Sequence, residues 1–142
     1  MRPSEWFDID VNNTNGVLDL EVTYKTGTGS SKDHLPLLNP ALASALGCSG
    51  GELFKGSLNL WADHAVPLPS PAIVELAGLD WHFVPIVLEE SRLGVVARRS
   101  DSGDIPFLEV FACDGLRVAL GLAADDRVRI RLLPGRYLVL AA

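Results

Sequence analysis

Ser57 and Asn59 stand two residues apart in the run Gly56-Ser57-Leu58-Asn59. On a strand, alternation puts the hydroxyl and the amide on one face, where both oxygens can meet a common ligand. Hard oxygen donors of this kind suit Mg²⁺ at about 2.0 to 2.1 Å, when nucleotide phosphates neutralise most of its charge. A plainer account of the tetrapeptide is a glycine turn followed by two outward polar residues, and the four residues alone favour it. Gly27, Thr28 and Gly29 offer bare amides of the kind that cradle phosphates, with Lys32 as a nearby point charge. They match neither a dinucleotide fingerprint nor a Walker loop, so a simple connection explains them equally well. Arg98 and Arg99 close an apolar stretch, where either a solvated strand end or a planar fork on a phosphate is in keeping. Glu109, between Leu108 and Val110, is either the exposed face of its strand or a carboxylate held at a pocket, and its local context favours the first.

Other reactive side chains give less. Cys48 and Cys113 lie far apart among small residues, which reads as two packed thiols better than as a disulfide framework. His34, His64 and His82 show no metal-ligand spacing. The 142-residue chain carries a net charge of -6 and no basic stripe, so its field repels a phosphodiester backbone and nucleic acid is not expected as a partner. No apolar run approaches the roughly 20 residues that span a bilayer, and the first ten residues lack a signal pattern, which points to a cytoplasmic protein without a membrane partner.

The elements that must position these residues are mostly strands. Residues 17–24 alternate, with Leu18, Leu20, Val22 and Tyr24 on one face. Further strands are expected over 54–61, 81–88, 92–97, 105–112, 127–132 and 136–140, separated by Gly, Pro, Asp and Ser, and this spacing favours a barrel or sandwich. Arg127, Arg129 and Arg131 then share a solvated face opposite Val128, Ile130 and Leu132. A short helix is expected over 39–47, capped by Asn39 and stopped by Gly47, and a second turn after Asp114 ends at Gly121. With 48% hydrophobic and 21% charged residues the chain reads as one domain spanning 1–142, with 1–15 and 141–142 loosely held. The Pro-rich 67–71 segment is a connection within it.

Taken in order, these stretches resemble the CTP-dependent, archaeal-type riboflavin kinase family. The resemblance runs through Gly27-Thr28-Gly29, Ala45-Leu46-Gly47, Gly56-Ser57-Leu58-Asn59-Leu60 and Phe83-Val84-Pro85-Ile86. It continues through Val95-Val96-Ala97-Arg98-Arg99-Ser100 and Leu108-Glu109-Val110-Phe111-Ala112 into Leu116-Arg117 and Leu120-Gly121-Leu122. It covers roughly residues 22–132. It implies a six-stranded cradle-loop β-barrel with one or two short helices, binding riboflavin and a nucleoside triphosphate. The implied reaction is Mg²⁺-assisted transfer of the CTP γ-phosphoryl group to the riboflavin 5′-hydroxyl, giving FMN. By the same resemblance Ser57, in place of the family's Thr, and Asn59 hold the metal. Glu109 is the base or orienting group at the hydroxyl. Gly27, Thr28, Gly29, Lys32, Arg98, Arg99 and Ser100 contact the nucleotide or flavin. The alternative is the same barrel without turnover, a flavin- or nucleotide-binding module.

Overall fold

In a computed structural model of the chain, the residues described are 7–8, 18–27, 43, 46, 48, 50, 52–67, 72–76, 79–99, 103–133 and 136–137. Strands dominate: β1 (Phe7–Asp8), β2 (Leu18–Tyr24), β3 (Leu58–Val66), β4 (Ala72–Leu76), β5 (Leu79–Leu88), β6 (Arg92–Arg99), β7 (Ile105–Phe111), β8 (Arg127–Leu132) and β9 (Arg136–Tyr137). β5, β6, β7, β3, β2 and β8 pair antiparallel in that order, and β8 returns to β5 through Ile86↔Leu132 and Leu88↔Ile130. This closes a six-stranded barrel, in which each of the six strands has a partner on both sides, and β4 adds to it as an edge strand on β5. The ten-residue β5 pairs with β6 along one edge and divides the other, its first half pairing with β4 and its last three residues with β8.

Alternation sets which residues fill the barrel. Leu20 and Val22 of β2 face Ile130 and Val128 of β8; Val22, Val128 and Ile130 belong with Leu60, Ile86 and Leu108 to one buried cluster, against which the partly buried Leu20 packs. Each such aliphatic side chain contributes about 1.5–3 kcal/mol by leaving water. The intervening residues pair outside, where Arg131 meets Asp19 at 2.8 Å and Arg127 meets Glu21 at 2.9 Å. These exposed pairs add little stability. They do fix register, because a one-residue slip would turn three arginines into the core.

A second buried layer lies outside the barrel. Phe83, Val95 and Phe111 alternate with the interior residues Val84, Val96 and Val110, yet have no exposed surface. Leu53 and Ala43, from the stretch between β2 and β3, are buried as well. One sector of the outer barrel wall is therefore covered rather than solvated.

Several expectations change. The bond Cys48–Cys113 is formed, not two separate thiols. β3 and β7 are antiparallel neighbours with Leu58 opposite Val110, so the residues before β3 and after β7 emerge at the same barrel end. Phe54 N–H donates to the Ala112 carbonyl there, and the Cys48 and Cys113 Cα atoms lie 5.2 Å apart. β3 begins at Leu58 rather than Phe54, after a turn in which Gly56 takes φ of +128°. β4 was not anticipated. Phe7–Asp8, within the stretch expected to be loose, pairs with β9. The turn after Asp114 is the helix Leu116–Ala119, but Gly115 occupies its N-cap without a side-chain cap. Of the expected 39–47 helix, Ala43 and Leu46 are helical and the rest lies outside the described residues.

Candidate functional site

The strand register brings the expected residues together on the outer wall. Asn59 of β3 is directly opposite Glu109 of β7, and Glu109 is directly opposite Ala97 of β6. Leu108 and Val110 point into the barrel, so Glu109 and its two partners face outward. The small side chain of Ala97 leaves the carboxyl room on that side. One step along the same strands, Trp61 is opposite Phe107, and Arg99, two residues beyond Ala97, shares the outward face.

Glu109 faces outward but is only 7% exposed. Burial disfavours its charged form and pushes its pKa up from 4.5 to about 7, with no neighbouring charge or hydrogen bond among the described residues opposing the shift. A carboxyl with its midpoint near neutrality is suited to take up and release a proton.

Ser57 Oγ donates to Asn59 Oδ1 at 3.3 Å. Two oxygens bound side by side to an octahedral Mg²⁺ at about 2.1 Å lie about 3 Å apart, so a small closure brings this pair to ligand spacing. No cluster of three or more His, Cys, Asp or Glu suited to a metal occurs among the described residues. The two neutral oxygens therefore fit a cation that arrives with the negative charge of phosphates. Asn59 is held from both sides. Its backbone carbonyl accepts from Lys25 N–H, and Gly27 lies so close that a Cβ there would fall on the Asn59 amide nitrogen. A side chain at this position would push the Asn59 amide aside, so glycine here lets the amide stay where it stands. Thr28, Gly29, Lys32 and Ser100 lie outside the described residues.

A cavity of about 240 Å³ opens beside Ser57 at the barrel end, between Tyr24, Phe54 and Leu116, with Arg117 on its rim. Phe54 is half exposed and packs against Gly115, where a Cβ would come within 3.0 Å of the ring.

The basic pair divides. Arg98 is 6% exposed and turns into the barrel end, where its Nη1 donates to the Val66 carbonyl at 2.7 Å and Nη2 to those of Ile105 and Phe107 at 3.1 and 3.0 Å. Its role here is to close the barrel end by tying β6 to the ends of β3 and β7. Neither a solvated strand end nor a phosphate contact describes it. Arg99 is exposed, on the same outward face as Glu109. Sequence reasoning missed the Trp61–Phe107 pair and the cavity at Phe54. For the first, the signal was present: Trp61 follows Asn59, and Phe107 precedes Glu109, by the same two-residue period.

No family model matches the chain, and no curated protein matches it.

Proposed function

We propose that the protein is a riboflavin kinase, transferring the γ-phosphoryl group of CTP to the riboflavin 5′-hydroxyl with Mg²⁺. The observation that carries this reading is the direct cross-strand pairing of Asn59 with Glu109, with Ser57 Oγ 3.3 Å from Asn59 Oδ1. It puts two neutral metal-type oxygens and a carboxyl of near-neutral pKa on one face of a closed barrel. That is the set the motif order implies for phosphoryl transfer to an alcohol.

Ser57 and Asn59 would hold Mg²⁺ against the nucleotide phosphates, and the metal supplies charge neutralisation at their oxygens. Glu109, ionised, accepts the proton of the acceptor hydroxyl as the oxygen–phosphorus bond forms. The bond between the γ-phosphorus and its bridging oxygen breaks, and the nucleoside diphosphate leaves. Gly27 lets the loop backbone approach Asn59. Arg99 adds positive charge to the same face. Such transfer depends on positioning and charge compensation more than on covalent chemistry, so a small group of residues suffices.

The position of Arg98 is compatible with a second reading. A cation that the motif comparison assigns to ligand is committed to three backbone carbonyls. A barrel that binds flavin or nucleotide without turnover accommodates this equally. The deciding experiment incubates the protein with riboflavin, Mg²⁺ and each of the four common nucleoside triphosphates and assays FMN. Formation with CTP supports the kinase. Binding of riboflavin or nucleotide without FMN supports the module.

A further inference from the structure

We infer that Trp61 and Phe107 form the platform on which the planar ring of the phosphoryl acceptor stacks, an assignment that rests on the kinase reading above. Their ring centroids are 5.0 Å apart with planes inclined by 35°. Trp61 remains 39% exposed although it lies mid-strand beside a covered sector of the wall. The pair sits one cross-strand step from Asn59–Glu109 on the same face. Immediately after Trp61 the β3–β7 register shifts, and regular pairing resumes only at Val66. A bulge at this point bends the strand and re-aims side chains, as bulges beside binding sites do.

The geometry selects the occupant. Two neighbouring tilted rings present flat, polarisable surface, which rewards a planar aromatic partner over an aliphatic one. The acceptor fits better than the donor base. Successive outward residues on a strand are about 7 Å apart, the length of an extended pentitol chain. A flavin ring on Trp61 therefore leaves its terminal hydroxyl at Glu109. The donor enters from the other side of Glu109, where Ser57 and Asn59 fix its phosphates and the cavity at Phe54 lies beyond. Trp61 and Phe107 are thus specificity-determining residues for the acceptor ring.

The test titrates riboflavin against the full-length protein, following the flavin's own fluorescence, alongside FMN formation at varied riboflavin and CTP. Stacking on an indole quenches flavin emission, so the wild-type protein should quench it. Trp61→Leu keeps apolar bulk on the strand and removes the ring. It should abolish most of the quenching and raise the dissociation constant and KM for riboflavin about 5- to 150-fold, with KM for CTP and kcat nearly unchanged. Trp61→Phe should restore most of the affinity, and Phe107→Leu should weaken it in the same direction as Trp61→Leu. Folded Trp61→Leu protein, checked by its melting transition, that makes FMN with an unchanged riboflavin KM overturns the platform and leaves the kinase reading intact. A wild-type protein that neither binds riboflavin nor makes FMN overturns both.

Discussion

Glu109 carries a cost that its sequence neighbours do not. Its folded-state pKa of about 7 lies above the 4.5 of an ordinary glutamate, so between those values the native state binds more protons than the unfolded one. Stability from this group is complete below about pH 4.5 and is lost as pH rises through 7, a change of at most about 3 kcal/mol. Glu109→Gln keeps the shape and removes the titration. Its melting temperature should exceed that of the parent above pH 7, and the difference should shrink as pH falls toward 4.5, as scanning calorimetry across that range would record. A difference independent of pH contradicts the burial of an ionisable carboxyl. At Asn59 the expected effect is on ligand. A nucleotide that binds only the native state, at a hundred times its dissociation constant, stabilises it by about 2.7 kcal/mol. CTP with Mg²⁺ should raise the melting temperature of the parent and leave that of Asn59→Ala nearly unmoved; equal shifts would remove Asn59 from the site. The shared face of Ser57 and Asn59 was legible, because a period of two needs only the strand to be recognised. The burial of Glu109 was not, since alternation tells in from out but not whether the outside is covered. The split of Arg98 from Arg99 follows from the same alternation, once the strand is known to run to Arg99.

At the scale of elements, the β3–β7 ladder organises both the site and its bracing. Cys48–Cys113 closes a sequence separation of 65 residues at the end of that ladder. The loss of unfolded-chain entropy corresponds to about 4 kcal/mol. Reduction, or replacement of both cysteines by serine, should lower the urea midpoint accordingly, and a reduced protein as stable as the oxidised one would count against the bridge. Structural disulfides are uncommon in reducing compartments, so the bridge also sets a condition on the expected cytoplasmic setting. Arg98 braces the other end. Arg98→Met leaves the carbonyls of Val66, Ile105 and Phe107 without their guanidinium, at about 1–3 kcal/mol for each one left unpaired. Equilibrium unfolding should show a loss of about 3 kcal/mol or more with the slope unchanged; a neutral substitution would mean water replaces the side chain. The long alternating strands, β2 and β8 above all, were legible from residue pattern. β4 was masked by the prolines before it, and the disulfide by sequence distance, which carries no information until the β3–β7 pairing is known.

For the whole molecule, closure of the sheet turns a set of half-buried strands into a rigid wall, and a rigid wall can hold Ser57, Asn59 and Glu109 to the tolerance that phosphoryl transfer demands. No helix among the described residues is long and apolar enough to cross a membrane. The net charge of -6 bears on the same chemistry, because an acidic molecule needs local neutralisation to admit a triphosphate, and Mg²⁺ at Ser57 and Asn59 with Arg99 nearby would provide it. Transfer of label from γ-phosphate-labelled CTP to riboflavin, followed at saturating substrates from pH 5.5 to 8.5, brings these features into one measurement. Labelled FMN should appear at a rate that rises through about pH 7 as Glu109 ionises, and Glu109→Gln should lower that rate about 10²- to 10⁴-fold. No labelled flavin at any pH, or equal rates in the parent and Glu109→Gln, would contradict the assignment of phosphoryl transfer to this face of the barrel.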